Sequence, residues 1–529
     1  MNSTAQAHKE IKRGSVISSI STIIGICGTL LVTPFILKQI GDNDYGLYQM
    51  VGPLVTSIGM LSFGLNNSLV RFLAKYRSTN DKESEERILG MMHIVFAIIA
   101  AVAVSVGIAC YFLLPRFYTK LHGPDLLKAK LIFAIMVINM GISIISQIYP
   151  SIMTAYEKFT VLNTWGLIKN IFVPIFKVIL VYLGVGVFSI VISEVFFNLA
   201  YQTTIMLNCR VKLKVKFSYK HFDKGLLKEL FIYSSFIFAS SVADLLYWQI
   251  DKVLVGKFIG SAEVTPLTFG NHFADYFIKI ATMISGMFMM RVMTMVVNNA
   301  SGEQLTGAMI KLGRIQALIL GLLYCGYIVV GRQFLDYYYS SGTTHTRDIA
   351  FLIGFMLLTA LLIPEVEILG ISILQAKNMH RFRAVMYLGI AVCNALLTIP
   401  FTKYFGVIGA TIATVLALIL GQIIIMNWYY KNRVGINIWR FFKETCHGIL
   451  PIALVTIAFG FLTFFIQSHS IFNLVLRALI ILIIYCVLQW FLGMNDFEHG
   501  LFAELYGKVK KLVLKPFARL KSKTSSKRW

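Results

Sequence analysis

Charge is what this sequence has least of. Only 14% of its 529 residues are Asp, Glu, Lys or Arg, where a soluble chain carries about 25%. A string of two or three soluble domains is excluded. Acids are scarcest, with 25 Asp and Glu against 49 Lys and Arg and a net charge of +24. The seven cysteines (Cys27, Cys110, Cys209, Cys325, Cys393, Cys446 and Cys486) never come closer than 40 residues, so no C-x-x-C pair exists. They read as small buried hydrophobes, which leaves no disulfide framework and no metal site. There is no G-x-x-x-x-G-K-[ST], hence no ATPase loop in this chain, and no H-E-x-x-H zinc site. Gly184-Val185-Gly186 joins two apolar runs and is no nucleotide fingerprint. Asp42-Asn43-Asp44-Tyr45-Gly46 opens like a calcium loop but lacks the distal Glu, and reads as a turn. No loop exceeds about 25 residues, so a catalytic domain such as a membrane glycosyltransferase needs has no place to sit.

What the chain has is hydrocarbon. Hydrophobic residues make up 57%, mean hydropathy is +0.72, and the apolar runs are about 20 residues long, the length of a bilayer-crossing helix. The expected fold is an all-α polytopic membrane protein with about 14 transmembrane helices. They are placed near 15–40, 46–70, 88–114, 127–150, 161–183, 187–208, 231–259, 267–290, 309–334, 348–375, 383–403, 407–429, 446–467 and 471–492. The first run is too long for a signal-peptide core and no cleavage site follows it, so it is expected to remain as a span. With an even number of spans both termini share a side, and that side holds 35 of the 49 Lys and Arg. It is therefore the cytoplasm. One loop dissents, with Arg116, Lys120, Lys128 and Lys130 facing outward. This sidedness accounts for the positive charge without nucleic acid binding.

A repeat organises the chain. Ile40-Gly41 ends span one and Ile259-Gly260 ends span seven, each with a lysine (Lys38, Lys257) two residues before the Ile, at an offset of 219. Ala155 matches Ala376 at 221, and Gly186-Val187 matches Gly406-Val407 at 220. Six spans per repeat places both halves in the same orientation, related by an axis along the membrane normal with a cavity between them. The expected domains are an N-terminal lobe at 1–208, a cytoplasmic linker at 209–230, a C-terminal lobe at 231–430, two added spans at 431–492 and a basic amphipathic cytoplasmic tail at 493–529. That tail carries Leu501, Leu505, Val509, Leu512 and Val513 among lysines.

Several stretches are similar to the polysaccharide transporter family, which includes the O-antigen-type oligosaccharide flippases of the multidrug/oligosaccharidyl-lipid/polysaccharide (MOP) superfamily. They are Gly14-Ser15-Val16 through Thr33-Pro34-Phe35-Ile36-Leu37, Ile40-Gly41, Tyr45-Gly46-Leu47-Tyr48, Ser62-Phe63-Gly64 to Arg71-Phe72, and Ala155-Tyr156-Glu157-Lys158-Phe159. The likeness covers the whole chain as architecture. At residue level it is concentrated in the first 90 residues and near 150–160, and span eight, with Asp275 and Lys279, departs from it. The resemblance implies two lobes in a MATE-like V, alternating access, a cationic central cavity, and undecaprenyl-diphosphate-linked oligosaccharides as substrate in the bacterial cytoplasmic membrane. Membrane lipids and the polysaccharide assembly machinery are the expected partners.

Charged side chains inside spans are costly and usually functional. Lys169 and Lys177 in span five lie eight residues apart, about 80° around a helix. With Lys252, Lys279 and Arg71 they are the candidate contacts for a diphosphate headgroup, and snorkelling to an interface is the competing role for the span-five pair. Asp244, Asp251, Asp275, Glu194, Glu365 and Glu367 are the candidate ion-coupling groups. Asp244 and Asp251, seven apart, are expected on one helix face. Asp275 and Lys279 stand at i,i+4 in the favourable order for an ion pair, and Glu365 and Glu367 point to different faces beside Pro364. No catalytic residue, metal or cofactor is expected; a proton or sodium ion is the only candidate co-substrate. Moving two negative charges outward from an inside-negative compartment gains about 4–5 kcal/mol at 100 mV, enough to set direction. A lipid II flippase and a cation-coupled multidrug antiporter of the same superfamily are the rival readings.

Overall fold

The computed structural model describes residues 2–504 except 63, 221, 378 and 464–470. The chain folds into helices α1 (Asn2–Gly59), α2 (Leu65–Ser78), α3 (Lys82–Phe117), α4 (Gly123–Ser146), α5 (Ile148–Ala155), α6 (Phe159–Tyr182) and α7 (Phe188–Leu207). There follow α8 (Lys224–Trp248), α9 (Ile250–Phe258), α10 (Ser261–Val297), α11 (Gly302–Tyr338), α12 (Thr344–Val366), α13 (Leu369–Ala376) and α14 (His380–Leu418). The last are α15 (Met426–Tyr429), α16 (Ile438–Cys446), α17 (Ile449–Leu462) and α18 (Ile471–Leu488). Among the described residues nine helices are long and apolar enough to cross a membrane, and eleven if each of two bent pairs counts as one span. The chain is a multi-pass membrane protein. These criteria do not establish fourteen crossings. The expected seventh span is broken at Gln249 into α8 and α9 and is not among the eleven. Two of the apolar helices, Ile20–Ser78 and Phe382–Val434, run for 59 and 53 residues. At 1.5 Å per residue each is far longer than a hydrocarbon core of about 30 Å.

Both are broken in the middle. Gly41 interrupts α1 at φ 81°, ψ 166°, and Gly406 interrupts α14 at φ 65°, ψ −145°. Such backbone is open to glycine alone. The repeat read from the sequence recurs here as backbone geometry. Gly260, the match of Gly41, also has positive φ (141°), and Gly186, the match of Gly406, has φ 64°. The short helices α5 and α13 are both eight residues long and stand 221 residues apart at either end. Helices α6 and α14 start 221 apart, and α3 and α11 end 221 apart.

The chain divides into two compact units. The first comprises Met1–Lys279, Phe334–Leu361 and Asn378–Met426, and the second Ile280–Gln333, Leu362–Lys377 and Asn427–Trp529. In the first unit α1 packs along α6 through small residues. A Cβ at Gly25 would meet the Asn170 side chain at 2.9 Å, and one at Gly28 the Asn170 carbonyl at 3.3 Å. Asn170 Nδ2 donates to the Ser21 carbonyl at 2.7 Å. Close approach of this kind lets dispersion hold helices where no hydrophobic effect operates between them. The Ala155-Tyr156 stretch is locked by a cluster: Tyr156 donates to Glu85 Oε1 at 2.5 Å, and Arg77 lies 3.8 Å over its ring while donating to the Ala155 carbonyl. Burial, then the bond to Glu85, pushes the Tyr156 hydroxyl above its ordinary range.

The second unit is centred on a buried arginine. Arg314 donates from Nε to Glu498 Oε1 (2.5 Å) and from Nη2 to Glu498 Oε2 (3.1 Å) and the Gly493 carbonyl (2.7 Å). Its Nη1 donates to the carbonyls of Glu444 (2.8 Å) and His447 (2.9 Å). All five guanidinium donors are used. They tie α11 to the turn between α16 and α17 and to the helical stretch 496–504. Arg314 therefore acts as a buried clamp and not simply as a cytoplasmic loop charge. The start of the expected tail is held by it, and the tail positions Leu505, Val509, Leu512 and Val513 lie outside the described residues. Arg477, buried in α18, donates to Gln333 Oε1 at 2.6 Å and to the Val329 carbonyl at 3.3 Å.

Candidate translocation cavity

Polar residues on α1, α2, α4, α7 and α8 open a cavity of about 510 Å³ in the first unit. Its wall includes Thr56, Asn66, Asn67, Asn139, Glu194 and Ser241. Among the described residues that line it, Glu194 is the only charged one. Asn198 Nδ2 donates to Asn139 Oδ1 and to Ser143 Oγ, both at 2.8 Å, across α7 and α4. Asn139 Oδ1 is thereby engaged. Amides that donate and accept at fixed positions suit the hydroxyls of a neutral sugar.

Glu194 also lines a second, smaller cavity of about 190 Å³ with Thr33, Tyr48, Gln49, Lys177 and His272. Here Lys177 Nζ stands 2.8 Å from Glu194 Oε1. Tyr48 donates to both carboxylate oxygens, at 3.1 and 2.9 Å. Helices α1, α6 and α7 thus converge on one carboxylate. The helix break at Gly41 positions Tyr48 by starting a new helical segment seven residues before it.

The structure brings together two of the expected site residues, Lys177 and Glu194. In this structure the two form one ion pair. Lys169 stands 5.7 Å from the Tyr201 ring centroid and lines neither cavity. Lys252 and Lys279 both act electrostatically on Asp275 and on His272, so their charge reaches the smaller cavity. Among the described residues Asp275 and Lys279 do not close to an ion pair. Lys279 instead lies 5.6 Å over the Tyr276 ring. Arg71 is exposed on α2.

The break at Gln249 (φ −120°) falls between Asp244 and Asp251, and both α8 and α9 pack against α14. Asp244 is exposed, whereas Asp251 is buried and accepts from Thr414 (2.7 Å) and Thr398 (3.2 Å). Glu365 and Glu367 are buried in the second unit, and Glu367 accepts from Asn427 at 3.0 Å. Among the described residues no three His, Cys, Asp or Glu side chains gather as a metal site. Tyr48, His272 and the asparagines were not singled out in the sequence. The signal was there in the polar residues interrupting apolar runs at Asn66-Asn67, Asn139 and Asn198.

Asp42, Asn43 and Asp44, expected as a turn, instead open the helical segment that follows the Gly41 break, and they form a junction. Asp42 accepts from Tyr339 (2.6 Å) and Ser341 (2.8 Å), and its carbonyl accepts from Thr265 (2.7 Å). Asn43 accepts from Ser261 and donates to Asp125 (2.8 Å). Lys128 donates to both oxygens of Asp44, at 2.8 and 2.9 Å, and Lys120 to the Ile259 carbonyl at 3.2 Å. The lysines that dissent from the charge rule are partly consumed here. Gly46 lies flush against this junction, where a Cβ would overlap the Ser261 carbonyl.

The family model for polysaccharide biosynthesis proteins matches residues 11–297. A Shigella flexneri protein provisionally named as an O-antigen transporter is 23% identical over 426 residues, covering 77% of this chain and 95% of that protein. Among solved structures, the lipid II flippase MurJ in an inward closed conformation superposes with a TM-score of 0.70 at 17% identity, covering 90% of this chain and 98% of that one. An inward-facing multidrug resistance MATE family transporter of the MOP superfamily gives 0.63 at 13% identity, covering 80% and 98%.

Proposed function

Since the chain belongs to the polysaccharide biosynthesis protein family, we propose that it is a flippase carrying undecaprenyl-diphosphate-linked oligosaccharide across the bacterial cytoplasmic membrane for cell-surface polysaccharide assembly. The observation that carries this reading is two cavities that share Glu194, a larger one lined by amides and a smaller one holding the Lys177–Glu194 pair, set among membrane-crossing helices. Desolvating an ionised diphosphate in hydrocarbon costs tens of kcal/mol by Born estimates. A polar cavity replaces that hydration while the polyprenyl tail stays in lipid. The sugars hydrogen-bond to Asn66, Asn67 and Asn139, and the diphosphate takes Lys177 from Glu194. Lys252 and Lys279 add positive potential beside the smaller cavity.

Two six-helix halves, 1–208 and 231–430, rock about this site. The element repetition at offsets of 219–221 and the likeness to MOP-superfamily folds support that division. The hydrogen bonds that Tyr339 and Ser341, in the turn between α11 and α12, donate to Asp42 of α1 join the two halves at the end opposite the basic loops. They act as a latch on the outer side, with both termini cytoplasmic.

A cation-coupled antiporter is the second reading, because Glu194 alone carries charge among the described residues lining the larger cavity. Expression in a strain lacking its own O-antigen flippase separates the two. Restored surface polysaccharide, lost again with Lys177→Ala, supports the flippase. Drug resistance without polysaccharide would replace it with the antiporter.

A further inference from the structure

The second unit holds a cavity that the translocation route does not use. It measures about 430 Å³ and lies between the end of α10 and the start of α11. From α10 come Phe288, Arg291, Val292 and Met295, at the spacing of one helix face, and Asn298 follows just past its end. From α11 come Gln304, Gly307, Ala308 and Lys311, again one face. Leu369 and Phe497 complete the apolar lining. No acid lines it. Arg291 and Lys311 are both exposed, and no carboxylate pairs with either among the described residues; Lys311 lies 5.3 Å over the Phe497 ring. The floor is made hollow by Gly307, where a Cβ would meet nothing within 4 Å. Ser301 and Gln304 form a reciprocal cap on α11 that uses Gln304 Oε1, at 2.9 Å from Ser301 N, and leaves its amide as a donor beside the two cations.

A groove that combines two cations and an amide donor with the apolar side chains of Val292, Met295, Leu369 and Phe497 has the chemistry of an amphiphilic anion's site. We propose that this cavity binds an anionic phospholipid of the cytoplasmic leaflet, with its phosphate between Arg291 and Lys311 and an acyl chain along Val292, Met295 and Leu369. Basic pockets between transmembrane helices on the cytoplasmic side take such headgroups. The loop charges place this end there. The chain's own residues 505–529 are a poor occupant, because they carry nine Lys and Arg.

The test is native mass spectrometry of the purified full chain in detergent with added phosphatidylglycerol, phosphatidylcholine, undecaprenyl diphosphate or inorganic phosphate. Wild type should retain phosphatidylglycerol and not phosphatidylcholine. Retention should fall roughly 30-fold in Arg291→Gln/Lys311→Gln, the effect of two cations near an anionic headgroup. Gly307→Leu, which fills the groove without touching a charge, should lose the lipid equally while unfolding at the wild-type temperature. Equal retention of phosphatidylcholine, or unchanged phosphatidylglycerol in both variants, would overturn the site. Undecaprenyl diphosphate retained in place of phosphatidylglycerol would reassign it to the substrate, and inorganic phosphate competing at equal concentration would reduce it to a plain anion site. Either result rejects the phospholipid.

Discussion

Replacing Glu194 by Gln should tighten diphosphate binding and slow transport. The reasoning starts from the 2.8 Å contact with Lys177. At an effective dielectric near 20 the Coulomb attraction at that distance is about 6 kcal/mol. The Glu194 side chain is 40% exposed, so solvent screening leaves on the order of 1–2 kcal/mol net. A diphosphate that takes Lys177 must overcome that amount. The Gln amide still accepts from Tyr48 but no longer competes for the ammonium. Affinity for a short-chain polyprenyl diphosphate, measured on protein in nanodiscs, should rise by roughly 5–30-fold. Lys177→Ala should bind more weakly than wild type, and the double variant should match Lys177→Ala alone, since the two residues act as one unit. Export in cells should fall with Glu194→Gln, because the carboxylate that reclaims the lysine at release is gone. Unchanged affinity in Glu194→Gln, or a double variant whose effects simply add, would refute competition at this pair.

Weakening the latch is a second test. Asp42→Ala removes two hydrogen bonds to a charged acceptor, each worth about 1.5–3 kcal/mol, and should raise labelling from outside of a cysteine placed at Gln49 in a cysteine-free chain. No change in labelling would argue against a gate at this junction. Glu498→Ala strands Arg314 in the second unit and should cost about 3–5 kcal/mol, read as a lowered midpoint of thermal unfolding. A variant as stable as wild type would show the clamp to be dispensable. Gly41→Ala meets no atom within 4 Å, so its cost should be backbone strain alone, about 1–3 kcal/mol. The same substitution at Gly389, where a Cβ also meets nothing within 4 Å but α14 is regular, should be neutral or stabilising.

Helices were readable in the sequence because each apolar run reports its own environment, whatever it packs against. The breaks at Gly41 and Gly406 were readable because the repeat marks them twice. Pairings were not. Lys177 and Glu194 are close in number yet lie on different helices, and nothing in either run says which face meets which. Arg314 and Glu498 are 184 residues apart, and Asp42 and Tyr339 are 297 apart. Such contacts are set by the docking of helices and not by local pattern. Arg477 stands within an apolar run, and an intramembrane cation there is itself a signal.

The account rests on passage of a lipid-linked sugar through the cavity beside Lys177 and Glu194. The direct measurement uses proteoliposomes holding undecaprenyl diphosphate linked to a fluorescent oligosaccharide, with a quencher that reaches only the outer leaflet. Wild-type protein should expose the inner-leaflet label, faster under an inside-negative potential, and Lys177→Ala should leave it protected. Inner-leaflet label that stays protected with wild-type protein, or exposure that Lys177→Ala does not slow, would contradict it.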